Sequence, residues 1–309
     1  MELSEAGRIV AGTSHMGSVI PLPRRAMRAA FEQLNGLVDA GIHAFDLAAS
    51  YQAGGTERMF GKWLAEHPGL RDRLFLISKG GHPTPVVAPH RLSRAALTSD
   101  LDGSLKRLGV DALDLYLLHR DSDREPLERI VETMAGFVRA GKIAAWGVSN
   151  WTVDRIARAR ELAAQAGAPI AASSPHVSLF AWATPPYSGS VSIAHDAKAQ
   201  AKYREWAMPV FAWAPLSNGY MGGQSAFANK HFDNAANRAR RKAAQTLAQR
   251  RGCTPNQIAL AYLCHIGLEL RPVVGSRSMK HMRENLAAVE LALTSDELAA
   301  LAPEQMEDE

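Results

Sequence analysis

Three apolar runs end on residues that together could deliver a proton to a carbonyl oxygen. In "FDLAASY" (45–51), Asp46 closes a short apolar run and Tyr51 follows five residues later. "LFLISK" (74–79) ends on Lys79, and "LDLYLLH" (113–119) ends on His119. A carboxylate at the end of a buried strand is costly unless it is paired, and Lys79 has the charge to pair with Asp46. A cation held beside Tyr51 favours the phenolate and lowers its pKa, which suits proton transfer near neutrality. His119 can hydrogen-bond a substrate oxygen and fix its orientation. This is equipment for protonating a carbonyl oxygen as it gains negative charge, and it calls for no metal. A strand-borne Lys79 could instead serve as the Schiff-base nucleophile of an aldolase.

Those residues need a scaffold that aligns strand ends. Eight short apolar runs recur along the chain, at 8–13, 42–46, 74–79, 113–119, 143–149, 169–174, 209–214 and 271–276. Helix-period stretches separate most of them, and Gly41, Gly109, Gly141 and Gly167 stand where helix C-caps fall. Strands apolar on both faces, alternating with helices, predict a parallel sheet covered by helices. Eight such units without a linker favour a single-domain (β/α)8 barrel over 1–309. A doubly wound sheet is the other candidate, but no GxGxxG follows the first strand. In a barrel the chemistry sits at the C-terminal strand ends, where Asp46, Lys79 and His119 fall on consecutive strands. Long loops are expected after strands 6 and 7 (175–195 and 215–235), and an extra helix with an acidic tail closes the chain.

Composition narrows the partners. The 309 residues are 47% hydrophobic and 21% charged, with a net charge of +4 (35 basic against 31 acidic). That is a globular balance able to bury a large core. The basic knot "NRARRK" (237–242) reads as a solvated helix face rather than a nucleic-acid site. Cys253 and Cys264 lack metal-ligand spacing and read as reduced thiols. With no signal-peptide pattern and no apolar run of membrane length, a cytoplasmic protein without nucleic-acid or membrane partners is expected.

"GIHAFDLAASY", "LISKGG", "DLYLLHRD" and "GVSNW" resemble the aldo-keto reductase superfamily, in order and over nearly the whole chain. The resemblance implies a catalytic tetrad of Asp46, Tyr51, Lys79 and His119, an NADP(H) cofactor and a small carbonyl or alcohol substrate. It assigns Gly12, Thr13 and Ser14, together with Asp46, to the nicotinamide pocket, and Ser149, Asn150 and Ser174 to the carboxamide. Trp213 stands where the family stacks an aromatic on the nicotinamide, and Leu216, Ser217 and Gly219 would offer backbone groups to the pyrophosphate. Ser276, Arg277 and Lys280 would hold a 2′-phosphate at a helix N-terminus, with Glu284 and Asn285 near adenine. His119, Trp151 and His176, the last expected at the pocket rim, are the candidate substrate contacts. The fold has regulatory members, so a non-catalytic NADP(H)-sensing subunit is the alternative to a reductase.

Overall fold

The computed structural model describes residues 3–84 and 90–302. Among them, eight parallel strands close into a barrel in chain order, with helices between them. The strands are β1 (Val10–Gly12), β2 (Ala44–Asp46), β3 (Phe75–Gly80), β4 (Leu113–Leu118), β5 (Ile143–Ser149), β6 (Ile170–Ser174), β7 (Val210–Trp213) and β8 (Leu270–Val274). Each falls on one of the eight apolar runs. β3 and β4 are buried along their whole length, as the uniformly apolar runs require when both faces are covered.

The helices carry the same logic. α1 (Arg24–Asp39) and α2 (Gly55–Ala65) flank β2, and α3 (Arg94–Leu108) returns the chain from β3 to β4. Gly109 caps α3 at φ 69°, a left-handed conformation that side chains disfavour. α4 (Leu127–Arg139) and α5 (Val153–Gln165) follow β4 and β5. The Thr152 side chain accepts from the Arg155 N–H to start α5.

Contact density divides the chain into two compact units. One holds the residues before Pro175 together with Gly275–Met279, and the other holds Pro175–Val274 and the residues after Met279. The second unit contains α6 (Ala197–Glu205), α7 (Ala226–Phe232), α8 (Ala235–Arg251) and α9 (Pro255–Cys264). Its core gathers Phe180, Tyr220, Phe232, Leu247 and Ile258, all buried. Each such side chain contributes about 1.5–3 kcal/mol on burial.

Two expectations change here. The segment after β7 is not a plain loop: it forms a 3-10 turn at Ser217–Gly222 and then α7. "NRARRK" is only partly a solvated face. Asn237 and Arg240 are buried, with the Asn237 side chain donating to the carbonyls of Ala181 and Phe232 at 2.6 Å each. Arg240 donates to Asn237 Oδ1 at 3.0 Å. Residues three or four positions apart share the inward side of the helix here, Asn237, Arg240 and Ala244 among them, and charge counting along the sequence does not see it. α10 (Met279–Ala288) and α11 (Ser295–Leu301) end the described chain; α11 is the extra C-terminal helix, and the acidic tail at 303–309 lies outside the described residues. No described helix is long and apolar enough to cross a membrane, and both cysteines are free thiols.

Candidate active site

The first unit brings Asp46, Tyr51, Lys79 and His119 together. β2 pairs with β3 through Asp46 opposite Ile77, and β3 with β4 through Lys79 opposite Leu117. The chain keeps pairing past β2, with Leu47 N–H donating to the Ile77 carbonyl and Ala49 N–H to that of Lys79. That extension carries Ser50 and Tyr51 back over the end of β3. Gln52 and Ala53 then take φ of 51° and 50°, a strained conformation for residues with a Cβ, and the turn leads into α2. Beneath it, the buried Glu57 accepts from Ser78 Oγ at 2.6 Å and Arg107 Nε at 2.7 Å, which pins β3 one residue before Lys79.

The ammonium of Lys79 is the hub. Its Nζ lies 2.7 Å from each oxygen of Asp46, donates to the Leu47 carbonyl at 3.0 Å and to Tyr51 Oη at 2.9 Å. Tyr51 in turn donates to Asp46 Oδ2 at 3.2 Å. The Lys79 and Asp46 side chains are only 4% and 6% exposed, so the pair meets the condition that buried charges impose. Burial alone would push the lysine's pKa down, but Asp46 and then Tyr51 outweigh it and the net direction is up.

Tyr51 behaves otherwise than a lone neighbouring cation predicts. Burial first and Asp46 second raise its pKa to about 12, against the opposing pull of Lys79. The expected lowering fails because the same lysine is shared with a carboxylate. The phenol therefore keeps its proton through the neutral range. His119 is also buried, and burial, then Lys79, Arg120 and His82, holds its pKa well below the ordinary histidine range. Its ring meets that of Tyr51 edge to face at 5.8 Å. Ser50 Oγ lies 3.3 Å from His119 Nδ1. With the serine hydroxyl donating there, the imidazole proton sits on Nε2, free for a substrate oxygen.

The other residues of the first unit cluster around these four. Thr13 binds the Asp46 carbonyl through both its N–H (3.2 Å) and its hydroxyl (2.7 Å), joining the ends of β1 and β2. Gly12 approaches Gly275 so closely that a Cβ on the latter would stand 3.0 Å from the Gly12 carbonyl oxygen. Ser14 is exposed, and its carbonyl accepts from Gln52 at 3.4 Å. Ser149 donates to the Ser174 carbonyl at 2.9 Å, and Asn150 Nδ2 reaches Ser149 Oγ at 2.9 Å and the His119 carbonyl at 3.4 Å. Asn150 is buried at φ 61°, a conformation asparagine tolerates better than most. Trp151 is buried with Arg155 over its ring at 5.2 Å.

After β8 the turn bearing Ser276 and Arg277 leads into α10, as expected. Arg277 is exposed, and no carboxylate pairs with it among the described residues. It stands near His15, whose pKa is lowered by burial and then by this guanidinium. The Ser276 carbonyl accepts from Gln33 Nε2.

In the second unit, His176 is not at a rim. It is fully buried, its Nδ1 2.9 Å from Ser192 Oγ, and packed by Trp182, Trp213 and Phe232 with centroids 4.7, 5.0 and 5.7 Å away. Trp213, half-buried, also faces Tyr187 at 6.1 Å. Near it the Ser217 and Gly219 N–H groups donate to the Ala214 and Leu216 carbonyls, and Ser217 Oγ donates to Ser178. Lys280 is exposed and 3.9 Å from Glu284 on α10, where Asn285 is buried.

Sequence reasoning missed two residues at the His119 ring: Ser50, and His82, which meets it edge to face at 4.7 Å. Neither lies in a periodic segment, so no pattern marked them.

A family model described as "Aldo/keto reductase family" matches residues 8–303. The aldo-keto reductase yakc [NADP(+)] of Schizosaccharomyces pombe is 28% identical over 279 residues, covering 84% of this chain and 78% of its own. A 6-dehydroglucose reductase of Novosphingobium aromaticivorans is 28% identical over 259 residues, covering 84% and 77%. Among solved structures, the thermostable aldo-keto reductase Tm1743 in complex with the inhibitor epalrestat matches with a TM-score of 0.73 at 25% identity, covering 96% of this chain and 94% of that one.

Proposed function

This chain belongs to the aldo/keto reductase family, and we propose that it reduces an aldehyde or ketone to an alcohol with NADPH and runs the reverse oxidation. The observation that carries this reading is the Asp46–Lys79–Tyr51 hydrogen-bonded triad with His119 beside it. Tyr51 and His119 lie side by side, and on substrate binding the Tyr51 O–H would turn from Asp46 to the substrate oxygen, which the His119 N–H would orient and which would gain negative charge. Tyr51 then gives its proton to that oxygen, and Lys79 stabilises the phenolate left behind. Neutral His119 orients the oxygen without competing for the proton.

The residues suit the cofactor. Ser149, Asn150 and Ser174 form one hydrogen-bonded polar set for an amide, and Arg277 is an exposed guanidinium with no carboxylate paired to it among the described residues. In the second unit, Trp213 is the side chain we assign to the nicotinamide face. When bound, NADPH supplies a hydride for the carbonyl carbon.

The direct test is oxidation of NADPH, and separately of NADH, over a panel of aldehydes, ketones and keto-sugars. Carbonyl-dependent oxidation of NADPH is expected. Tight NADPH binding without turnover on any carbonyl would favour a sensing subunit, and borohydride trapping of substrate on Lys79 would favour an aldolase.

Cofactor choice rests on Arg277. A charge-assisted bond from a guanidinium to phosphate is worth about 1.5–3 kcal/mol, which is roughly 10- to 150-fold in affinity. Arg277→Ala is expected to weaken NADPH binding by about that factor, to leave NADH nearly unchanged, and to show a smaller effect in high salt. Equal weakening of both cofactors in a fluorescence titration would remove Arg277 from the phosphate site.

A further inference from the structure

Gly80, the last residue of β3, and Gly81 after it are glycines for a physical reason, and they place His82. A Cβ on Gly80 would stand 1.9 Å from Tyr116 Oη, so a side chain there would force the buried Tyr116 to move. Gly81 turns the chain at φ 75°, with its N–H donating to Asp100 Oδ2 at 2.9 Å. Arg91 pairs with the same carboxylate, and the His119 N–H donates to the Gly80 carbonyl at 2.8 Å. The segment after β3 is thus tied to the end of β4, and His82 is delivered against the ring of His119, centroids 4.7 Å apart and planes at 72°.

The tautomer of His82 follows from its backbone contact. Nδ1 lies 2.8 Å from the Pro83 carbonyl oxygen, which can only accept, so Nδ1 carries the hydrogen. Nε2 is then a bare lone pair with no partner among the described residues. The half-buried ring is held neutral: burial lowers its pKa, the Pro83 carbonyl opposes, Arg120 lowers it further and Asp100 opposes. Against the ring of His119, which with Tyr51 would hold a carbonyl oxygen, the same unit therefore supplies one neutral acceptor.

We propose that His82 sets substrate class by accepting a hydrogen bond through Nε2 from a hydroxyl on the carbon next to the substrate carbonyl. Two donors and an adjacent acceptor complement an α-hydroxy carbonyl, which offers an oxygen acceptor and, one carbon away, an O–H donor. A plain aldehyde or ketone leaves the acceptor unused. The inference rests on the reductase reading and extends it to α-hydroxy aldehydes and ketones, keto-sugars among them.

Hydroxyacetone and butanone differ by a hydroxyl against a methyl at the position concerned, and they make the test. kcat/KM for each is measured with NADPH in the wild-type chain, in His82→Phe, which keeps an aromatic ring without an acceptor, and in His82→Asn, which retains one. The ratio of hydroxyacetone to butanone should fall by about 2- to 12-fold in His82→Phe, the factor a single neutral hydrogen bond carries, and should recover in part in His82→Asn. Because the readout is a ratio within each protein, a general loss of folded enzyme cancels. A ratio unchanged in His82→Phe overturns the proposal while leaving the reductase reading intact. A wild-type chain that oxidises NADPH with neither these ketones nor any other carbonyl overturns both.

Discussion

Replacing Tyr51 with phenylalanine should cut kcat for carbonyl reduction by roughly 10²- to 10⁴-fold, the range lost with a general acid, while NADPH binding persists. The ring stays and only the hydroxyl goes, so the packing against His119 is kept. The wild-type pH profile is the companion measurement. With the phenol's pKa raised to about 12 by burial and Asp46, Tyr51 is protonated throughout the neutral range and reduction should be flat from about pH 6 to about pH 9. The reverse oxidation needs the phenolate and should climb as pH rises. His119, held neutral, adds no acid limb in that range. Retention of more than half of wild-type kcat in Tyr51→Phe would take the proton-donor role away from this residue.

Lys79→Met should be costly in a second currency, stability. It leaves the Asp46 carboxylate buried at 6% exposure without its counter-charge. Removing one partner of a buried pair destabilises by about 3–5 kcal/mol. Chemical denaturation should show that loss, and turnover should fall as well because Tyr51 loses the cation that stabilises its phenolate. Asp46→Asn combined with Lys79→Met removes the orphaned charge, so the double variant should regain part of the stability. If the double variant is no more stable than Lys79→Met alone, the pair does not carry this energy.

The barrel was legible because its signal is repetitive. Eight apolar runs separated by helix periods admit few topologies, and Asp46, Lys79 and His119 stand out because each ends such a run on a polar side chain. Tyr51 was legible through its distance from Asp46. What stayed hidden depends on where loops pass rather than on any period. Ser50 and His82 reach His119 only because the chain after β2 keeps pairing with β3 and because two glycines turn the chain after it. The inward side of "NRARRK" is set by which helix face meets the Ala181 and Phe232 carbonyls, and spacing within the run does not encode it. The direction of the Tyr51 shift also escaped, since it is a competition among burial, Asp46 and Lys79 in three dimensions. Residue types name the competitors but not the winner.

For the proposed reaction the Asp46–Lys79 pair also constrains how the site is reset between turnovers. While Tyr51 holds its proton, one carboxylate and one ammonium cancel and the buried floor of the site is electrically neutral. The proposed reduction passes the tyrosine's proton to the substrate and leaves a phenolate. Its negative charge is matched while the oxidised, cationic nicotinamide stays bound and is left uncompensated in a low-dielectric interior once that cofactor departs. Electroneutrality has to be restored before the next substrate is reduced. Lys79 and Asp46 are shut away from water, whereas Tyr51 is only partly buried. On this reading re-protonation comes at Tyr51, the least buried member of the triad, and the lysine and aspartate keep their own protonation through the cycle.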